Sequence, residues 1–428
     1  MRLFYHNTAR EAIWPAVSVD PLFRPCYNPL HTMLIGIDAS RALRAQRTGT
    51  EHYAWQLIRH LLALDSGHRF RLYCHQPPPA GLFDLPGRPA SQAELCVIPF
   101  PRLWTHVRLS MELVRRPPDV LFVPSHVLPV LHPRRSVATV HDLGYRYFPE
   151  AHKQFDRVYL ELGTRFNARH SAHVLADSQA TKDDVVRFTG VAAGKVTVVH
   201  LGRDESLLPV DDPQRLAAVQ HRLGIRQPGQ PAAPYVLYVG TLQPRKNLAR
   251  LVDAFALARQ QRPDLRLVLA GRRGWLADPI FERVAALGLQ QCVHFPGFVA
   301  DDDLPALLSG AACFAFPSLH EGFGFPVLEA QACGAPVLAA NTSSLPEVAG
   351  DGALLVDPLD TAAIAAGLLR LVVDDVLRAE LRAAGFANLQ RFSWQRSAAL
   401  TLAVLEAVGE LPALRKSWQL SRRRSSHP

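Results

Sequence analysis

His320-Glu321-Gly322-Phe323-Gly324-Phe325-Pro326-Val327-Leu328-Glu329 follows directly on the apolar run Cys313-Phe314-Ala315-Phe316-Pro317. A buried strand, a loop with two glycines and a helical pattern opening at a proline make one strand–loop–helix unit. Gly322 and Gly324 permit close backbone approach and unusual dihedrals. Pro326 suits a first helical turn. Free N–H groups there can receive an anion or sugar hydroxyls. Glu321 lies in the loop and Glu329 inside the helix, so the two carboxylates can face one cleft at different depths. Taken alone, the same residues also read as a capped helix with solvated acids.

The pattern on either side repeats that unit. From Tyr235 onward, strand candidates at 235–239, 266–270, 292–295, 312–316, 336–340 and 353–356 alternate with helix candidates near 246–261, 278–287, 301–309, 325–333, 360–373 and 376–390. Upstream, strands at 34–38, 69–75, 94–98, 119–123, 136–141, 173–176 and 195–200 alternate with helices near 50–64, 103–115, 152–170 and 179–188. Strands separated by helices imply mostly parallel sheets covered on both faces. The fold class is α/β, with two doubly wound units in tandem. Ligands in such units bind beyond the carboxyl ends of the strands, which puts the site in the cleft between the two.

The expected division is an atypical extension over 1–32, a first domain over 33–205, a Pro- and Gln-rich linker over 206–233 and a second domain over 234–391. A helix over 392–412 and a basic tail over 413–428 complete it. Residues 1–32 read either as upstream of a start at Met33 or as a loosely ordered arm.

Composition narrows the function classes. At 428 residues the length fits two or three domains at about 150 residues each. Hydrophobic residues make up 48% and charged ones 20%, which argues against a disordered chain or a disulfide scaffold. The net charge of +9 includes +5 in the last fourteen residues, so the body does not read as a nucleic-acid binder. No two of the six cysteines are spaced as CxxC, which argues against a zinc or thioredoxin-type motif. With no cysteine framework, no apolar run of about 18 residues and no signal-peptide pattern at the N-terminus, a cytoplasmic place is the default.

Three further clusters sit at strand ends. Gly240-Thr241-Leu242-Gln243-Pro244-Arg245-Lys246-Asn247 places two cations where paired phosphates need charge neutralised. A solvated basic turn is the plainer reading of that pair. Arg47-Thr48-Gly49-Thr50-Glu51 puts a glycine before a helix, where backbone donors can meet phosphate. Val140-His141-Asp142 ends an apolar strand, and His141 can contact a sugar or help shuttle a proton. Ser178 reads as a helix cap. Asp301-Asp302-Asp303 reads as a helix start, where acids favour the dipole, and not as a metal site.

Together these clusters resemble the retaining GT-B glycosyltransferases of family 4 (group 1), and bacterial O-antigen-type mannosyltransferases in particular. The second half carries Glu321/Glu329, the 240–247 loop, Leu269-Ala270-Gly271, Phe295-Pro296-Gly297-Phe298 and Ser344-Leu345-Pro346-Glu347-Val348. The first half matches more loosely through Ile37-Asp38, Thr48-Gly49, Val140-His141-Asp142 and Asp177-Ser178. The resemblance implies a GT-B fold, two facing Rossmann-like domains with a cleft and a C-terminal helix crossing back to the first.

It also implies roles. Glu329 would hold the ribose, Glu321 would contact the donor sugar, and the backbone of Gly322, Phe323, Gly324 and Phe325 would help place it. Arg245 and Lys246 would stabilise the diphosphate, with Gly240 and Thr241 lining the loop, and Thr48 and Gly49 would close from the other domain. His141 would lie near sugar and acceptor. Many members carry an arginine where Thr241 stands, so here the charge falls to Arg245.

The implied reaction is metal-independent hexose transfer with retention, with no cofactor. Its partners are a nucleotide-sugar, best fitted by GDP-mannose, and a glycan, lipid-linked or polysaccharide acceptor. UDP-glucose users share much of the pattern. No nucleic acid is expected. Peripheral contact at the inner face of the membrane would come from the tail or from a basic–aromatic helix with Trp104, His106, Arg108, Arg115 and Arg116. A GT-B nucleotide-sugar epimerase and a non-enzymatic nucleotide-sugar or anionic-surface binding protein are the alternatives.

Overall fold

The computed structural model describes residues 32–44, 47, 49–85, 93–100, 102–125, 127–149, 154–226 and 233–411. Thr48, the tail from 413 and all but the last residue of the 1–32 extension lie outside the described residues.

The alternation resolves into two all-parallel sheets. The first contains β1 (Leu34–Asp38), β2 (Arg69–Cys74), β3 (Ala93–Val97), β4 (Val120–Val123), β5 (Ser136–Val140), β6 (His173–Ala176) and β7 (Val196–Val198), in the order β3-β2-β1-β4-β5-β6-β7. The second contains β8 (Tyr235–Val239), β9 (Arg266–Ala270), β10 (Val293–Gly297), β11 (Cys313–Phe316), β12 (Val337–Ala340) and β13 (Ala353–Val356), in the order β10-β9-β8-β11-β12-β13. Central strands β4, β5, β11 and β12 are buried at every position, as helices on both faces require.

In the first unit the helices are α1 (Gly49–Leu62), α2 (Ser110–Arg115), α3 (Gly144–Tyr147), α4 (Gln154–His170) and α5 (Gln179–Thr189). Then α6 (Pro213–Arg222) packs on the second unit. That unit carries α7 (Leu248–Gln261), α8 (Asp278–Ala286), α9 (Leu304–Ser309), α10 (Phe325–Ala332), α11 (Leu345–Ala349), α12 (Thr361–Val373) and α13 (Asp375–Asn388). Caps fix several starts: Ser178, Asp360, Asp374 and Ser393 each accept a backbone N–H of the first turn.

The last helix, α14 (Trp394–Gly409), returns to the first unit and packs on α1 and the strands β4 to β6. Its Glu406 meets His68 at 3.0 Å. The outgoing chain after β7 and the returning chain before α14 lie side by side. Ser397 Oγ donates to the His200 carbonyl at 2.5 Å, and a Cβ on Gly202 would stand 2.2 Å from Trp394 N.

Two sequence expectations need correcting. The single helix over 103–115 is instead a π-helical turn, Trp104–Leu109, followed by α2. Trp104 is buried there and donates Nε1–H to the Ile98 carbonyl at 2.7 Å, so it anchors the helix to the core and does not belong to an outer basic–aromatic face. Asp301, Asp302 and Asp303 form a turn before α9. Asp303 holds the capping position without a capping bond, because its carboxylate pairs with Arg222 at 2.5 Å.

Candidate active site

Both sheets reverse direction of growth at a central pair, β1/β4 in the first and β8/β11 in the second. Crevices open at such points. Beyond β8 the chain turns through Gly240, whose φ of 149° and close approach to the Tyr238 hydroxyl exclude a side chain. Gly271 lies against it, and a Cβ there would be 1.9 Å from the Gly240 carbonyl oxygen. Thr241 is exposed at the rim. The chain then makes one 3-10 turn, Pro244–Lys246, and Asn247 adopts a left-handed φ of 61°. Asn247 Nδ2–H donates to the Pro317 and Pro358 carbonyls at 3.1 and 2.7 Å, which ties the turn down.

That turn delivers Arg245 and Lys246 to the loop beyond β11. Arg245 Nη1 lies 2.7 Å from Glu321 Oε2, and Lys246 Nζ lies 2.5 Å from Glu321 Oε1. Arg245 Nη1–H also donates to the His320 carbonyl at 2.5 Å. Glu321 is buried. Burial alone would raise its carboxyl, but Arg245 and then Lys246 outweigh it and hold the group down at about 2. It is a fixed anion between two cations. The triad keeps one net positive charge, and unused N–H donors remain on both cations.

The glycine loop is propped from below. Ser343, itself at a left-handed φ of 53°, accepts the Glu321 N–H on Oγ at 3.0 Å. Ser344 Oγ lies 2.9 Å from the Glu321 carbonyl and 2.7 Å from that of Phe323, and can donate its one proton to either. Gly324 takes φ 115° and begins α10. The Phe323 ring is buried edge-on to Phe392 and Phe325, so only its backbone faces the cleft.

The first domain meets this loop directly. Ser178 Oγ and Thr181 Oγ1 lie 2.7 and 3.2 Å from the Gly322 carbonyl oxygen, to which each can donate. A Cβ on Gly322 would be 2.0 Å from the His141 carbonyl oxygen. Glu347 of α11 caps α5 across the gap, accepting the Gln179 N–H at 2.8 Å, and meets His200 Nε2 at 2.6 Å. The Phe325 ring at the start of α10 stands 4.0 Å from where a Cβ on Gly49 would be. Two helix N-termini, those of α1 and α10, therefore converge from opposite domains. Their free N–H groups and dipoles favour an anion between them.

His141 is half-buried beside that floor. Its Nδ1 lies 2.7 Å from Asp177 Oδ2 and its Nε2 3.0 Å from the Pro124 carbonyl oxygen. Both partners only accept, so both ring nitrogens carry protons. Burial opposes the charge, but the Asp177 carboxylate outweighs it and raises the imidazole above its ordinary value. The ring is thus anchored at both nitrogens, to Asp177 and to the Pro124 carbonyl. Asp142 accepts the Gly144 N–H at 2.9 Å and stands in the field of Arg245.

Glu329 sits one turn into α10. Burial raises its carboxyl to about 7, helped by Asp204 from the first domain and Asp301 from the second. Asp301 itself stands exposed in the turn before α9.

Residues 226–387 match the family model described as Glycosyl transferases group 1, and residues 47–207 match that of Glycosyltransferase Family 4. The O-antigen chain mannosyltransferase B of Escherichia coli is 34% identical over 270 residues, which cover 63% of this chain and 69% of that protein. The chain belongs to the group 1 glycosyltransferases of family 4. This glycosyltransferase is also 30% identical over 280 residues to the serotype-specific mannosyltransferase WbdA of Escherichia coli, covering 63% of the chain and 33% of that protein. Among solved structures it superposes on Anabaena Alr3699/HepE in complex with UDP and glucose, with a TM-score of 0.66, 21% identity and coverage of 88% and 100% of the two chains. WaaG, a glycosyltransferase involved in lipopolysaccharide biosynthesis, gives 0.64 at 15% identity, with coverage of 87% and 99%. The fold of the glycosyltransferase is GT-B, two facing Rossmann-like domains with a C-terminal crossover helix.

Sequence reading of this glycosyltransferase named Glu321, Arg245, Lys246 and the glycine loop, and the structure brings them together. It missed Ser343, a role for Asp142 beyond its place in the Val140-His141-Asp142 cluster, and the cross-domain work of Glu347. The doublet Ser343-Ser344 before Leu-Pro-Glu was the available signal for the first. Among the described residues no helix is long and apolar enough to cross a membrane.

Proposed function

We propose that this glycosyltransferase is a retaining mannosyltransferase that takes mannose from GDP-mannose and adds it to a glycan, lipid-linked or polysaccharide acceptor. The observation that carries the reading is the buried Arg245–Glu321–Lys246 triad beside the opposed N-termini of α1 and α10. The diphosphate lies between those N-termini, with Arg245 and Lys246 neutralising the charge that grows as it leaves. These cations belong to the chain itself, which supports a metal-independent route. Glu321, held ionised, accepts hydroxyl protons of the sugar. Glu329 accepts those of the ribose. The names of the relatives, an O-antigen chain mannosyltransferase and a serotype-specific mannosyltransferase, favour mannose over glucose.

In the transfer, the bond between the anomeric carbon and the phosphate oxygen breaks, and its electron pair leaves with the diphosphate. The acceptor oxygen bonds to the same face of that carbon. Its proton passes to the departing phosphate oxygen, because His141 has no free nitrogen to take it. His141 acts as a positioning residue, whose carbonyl meets Gly322 at the cleft floor. The setting is the cytoplasm, with peripheral contact at the inner face of the membrane.

Sugar transfer from a panel of labelled donors tests the reading. GDP-mannose should be used, and Glu321→Ala and Lys246→Ala should each strongly diminish transfer. A thermal-shift panel of GDP, UDP, ADP and dTDP separates the nucleotide from the chemistry, since a ligand at a hundredfold excess over Kd stabilises by about 2.7 kcal/mol. A UDP response would discard mannose and keep the transferase. Undiminished transfer by both variants would overturn the site.

A further inference from the structure

A further contact joins the domains one residue before Glu321. The His320 side chain is buried, and Tyr147 of the first domain lies flat against it, with ring centroids 4.5 Å apart and planes 26° from parallel. Tyr147 ends α3, a single turn, and is 41% exposed. A ring so placed needs bracing, and two residues of α5 supply it. The Tyr147 hydroxyl donates to Asp184 Oδ1 at 2.5 Å, and the ring stands edge-on to Phe188 at 5.8 Å. Asp184 is buried, with Oδ2 3.9 Å from His320 Nε2, too far for a hydrogen bond but close enough to attract an imidazolium. Tyr147, Asp184 and Phe188 all belong to the first domain, so nothing from the second is needed to build this seat.

The backbone of His320 belongs to the site. Its carbonyl accepts the Arg245 Nη1–H that also reaches Glu321, and the Leu319 N–H donates to the Arg245 carbonyl at 3.0 Å. Arg245 is thus stitched to residues 319–321 at both its ends, and a shift of the His320 backbone carries the guanidinium with it. Gly144, which opens α3, faces the same pair. A Cβ on it would lie 3.6 Å from His320 Cδ2 and 3.8 Å from Arg245 Cδ. One short helix of the first domain therefore meets both the ring and the cation.

A stack of two polar rings, with one carboxylate divided between them, admits a single approach of the domains. Plain apolar packing is less selective, because it has no preferred direction.

We propose that Tyr147 and Asp184 form a seat for the His320 ring, and that docking of the ring aligns Arg245 and Glu321 for transfer. Tyr147, Asp184 and His320 are positioning residues that act through the His320 backbone. The inference rests on the function given above to the Arg245–Glu321–Lys246 triad.

Hydrogen exchange and donor kinetics on the full chain test it. In Tyr147→Ala, amide exchange in a peptide spanning 318–325 should quicken about tenfold, while peptides from β11 and α12 stay as they are. GDP binding and the donor KM should match wild type, and kcat should fall about tenfold, the scale of one aromatic contact. Tyr147→Phe keeps the ring and should recover most of that loss. His320→Ala should resemble Tyr147→Ala, and the two together should cost no more than either alone. Tyr147 is exposed, so the melting temperature of its variants should match wild type. Additive losses in the double variant would overturn the proposal, since the two residues would then act separately. Unchanged exchange at 318–325 would also overturn it, and that readout needs no donor. A wild type that does not use GDP-mannose would overturn the donor proposed above and leave the exchange result to decide the seat.

Discussion

Gly322→Ala separates closure of the cleft from chemistry within it. The glycine is absent from the left-handed region, so an alanine there suffers no backbone strain of its own. Its Cβ would meet the His141 carbonyl oxygen at 2.0 Å and Asp142 Cβ at 2.8 Å. Both neighbours belong to the other domain, and the first is backbone, so neither can rotate away. The relief left is to open the cleft by roughly 1 Å at this point. Opening stretches the bonds from Ser178 and Thr181 to the Gly322 carbonyl. At about 1 kcal/mol each, their loss costs about 2 kcal/mol of closure, or about thirtyfold in the closed population. The variant should lose about thirtyfold in kcat/KM for sugar transfer. The melting temperature of the protein should barely move, because neither domain core is touched. Small-angle scattering should report a slightly larger radius of gyration. Wild-type kcat/KM in Gly322→Ala would refute the reasoning, since it would mean that the contact between the Gly322 and His141 loops is not made during turnover.

Lys246→Ala should lower kcat by about a hundredfold to a thousandfold with the donor saturating, as removal of one stabilising donor at a developing charge does. It should also raise the Glu321 carboxyl from about 2, because one of the two cations that outweigh its burial is gone; NMR titration checks this. Glu329, raised from 4.5 to about 7, stays protonated in the native chain over a window where the unfolded chain has lost its proton, so stability falls as pH rises through that window. Glu329→Gln should therefore be more stable than wild type above about pH 7 and equal to it below 4.5, read by thermal unfolding. In wild type, GDP affinity should rise with pH up to about 7, as the carboxylate that accepts ribose hydroxyls forms. The His141–Asp177 pair works in the opposite sense. Its contribution is complete below 6.5 and fades as pH rises through the elevated His141 value, so Asp177→Asn should flatten that alkaline decline in a pH series of melting temperatures.

Strand and helix placement was open to reading because the local signals agree with the tertiary outcome. Tyr235-Val236-Leu237-Tyr238-Val239 is apolar throughout and becomes a central strand buried at four of five positions. Ser178 reads as a cap and is one. Where a side chain answers to a distant partner, the local rule fails. Asp303 sits at a helix start, yet Arg222, 81 residues away, takes its carboxylate. Trp104 lies among basic residues, yet the Ile98 carbonyl draws it inward. The site divides in the same way. Gly-rich loops at strand ends announce themselves by spacing, but the Glu321–Lys246 pair spans 75 residues and no local pattern foretells that the anion sits between the two cations. Ser343 escapes notice because a left-handed serine is rare and its sequence neighbours do not demand it. His141 was ambiguous until its two acceptors were known, and they decide its protonation.

The two crossings of the chain between the domains run side by side, with Gly202 against Trp394 and Ser397 bonded to His200. Such a pair acts as a door hung on two adjacent pins. Twisting and sliding of one domain over the other would shear these contacts, whereas swinging about the line through them does not. Movement of the halves reduces to one rotation with its axis beside the crossings, and the loops at Gly322 and His141 travel on the free edge. Insertions at Gly202 or Trp394 would loosen the pins and let the halves meet out of register, while leaving each half intact and able to fold.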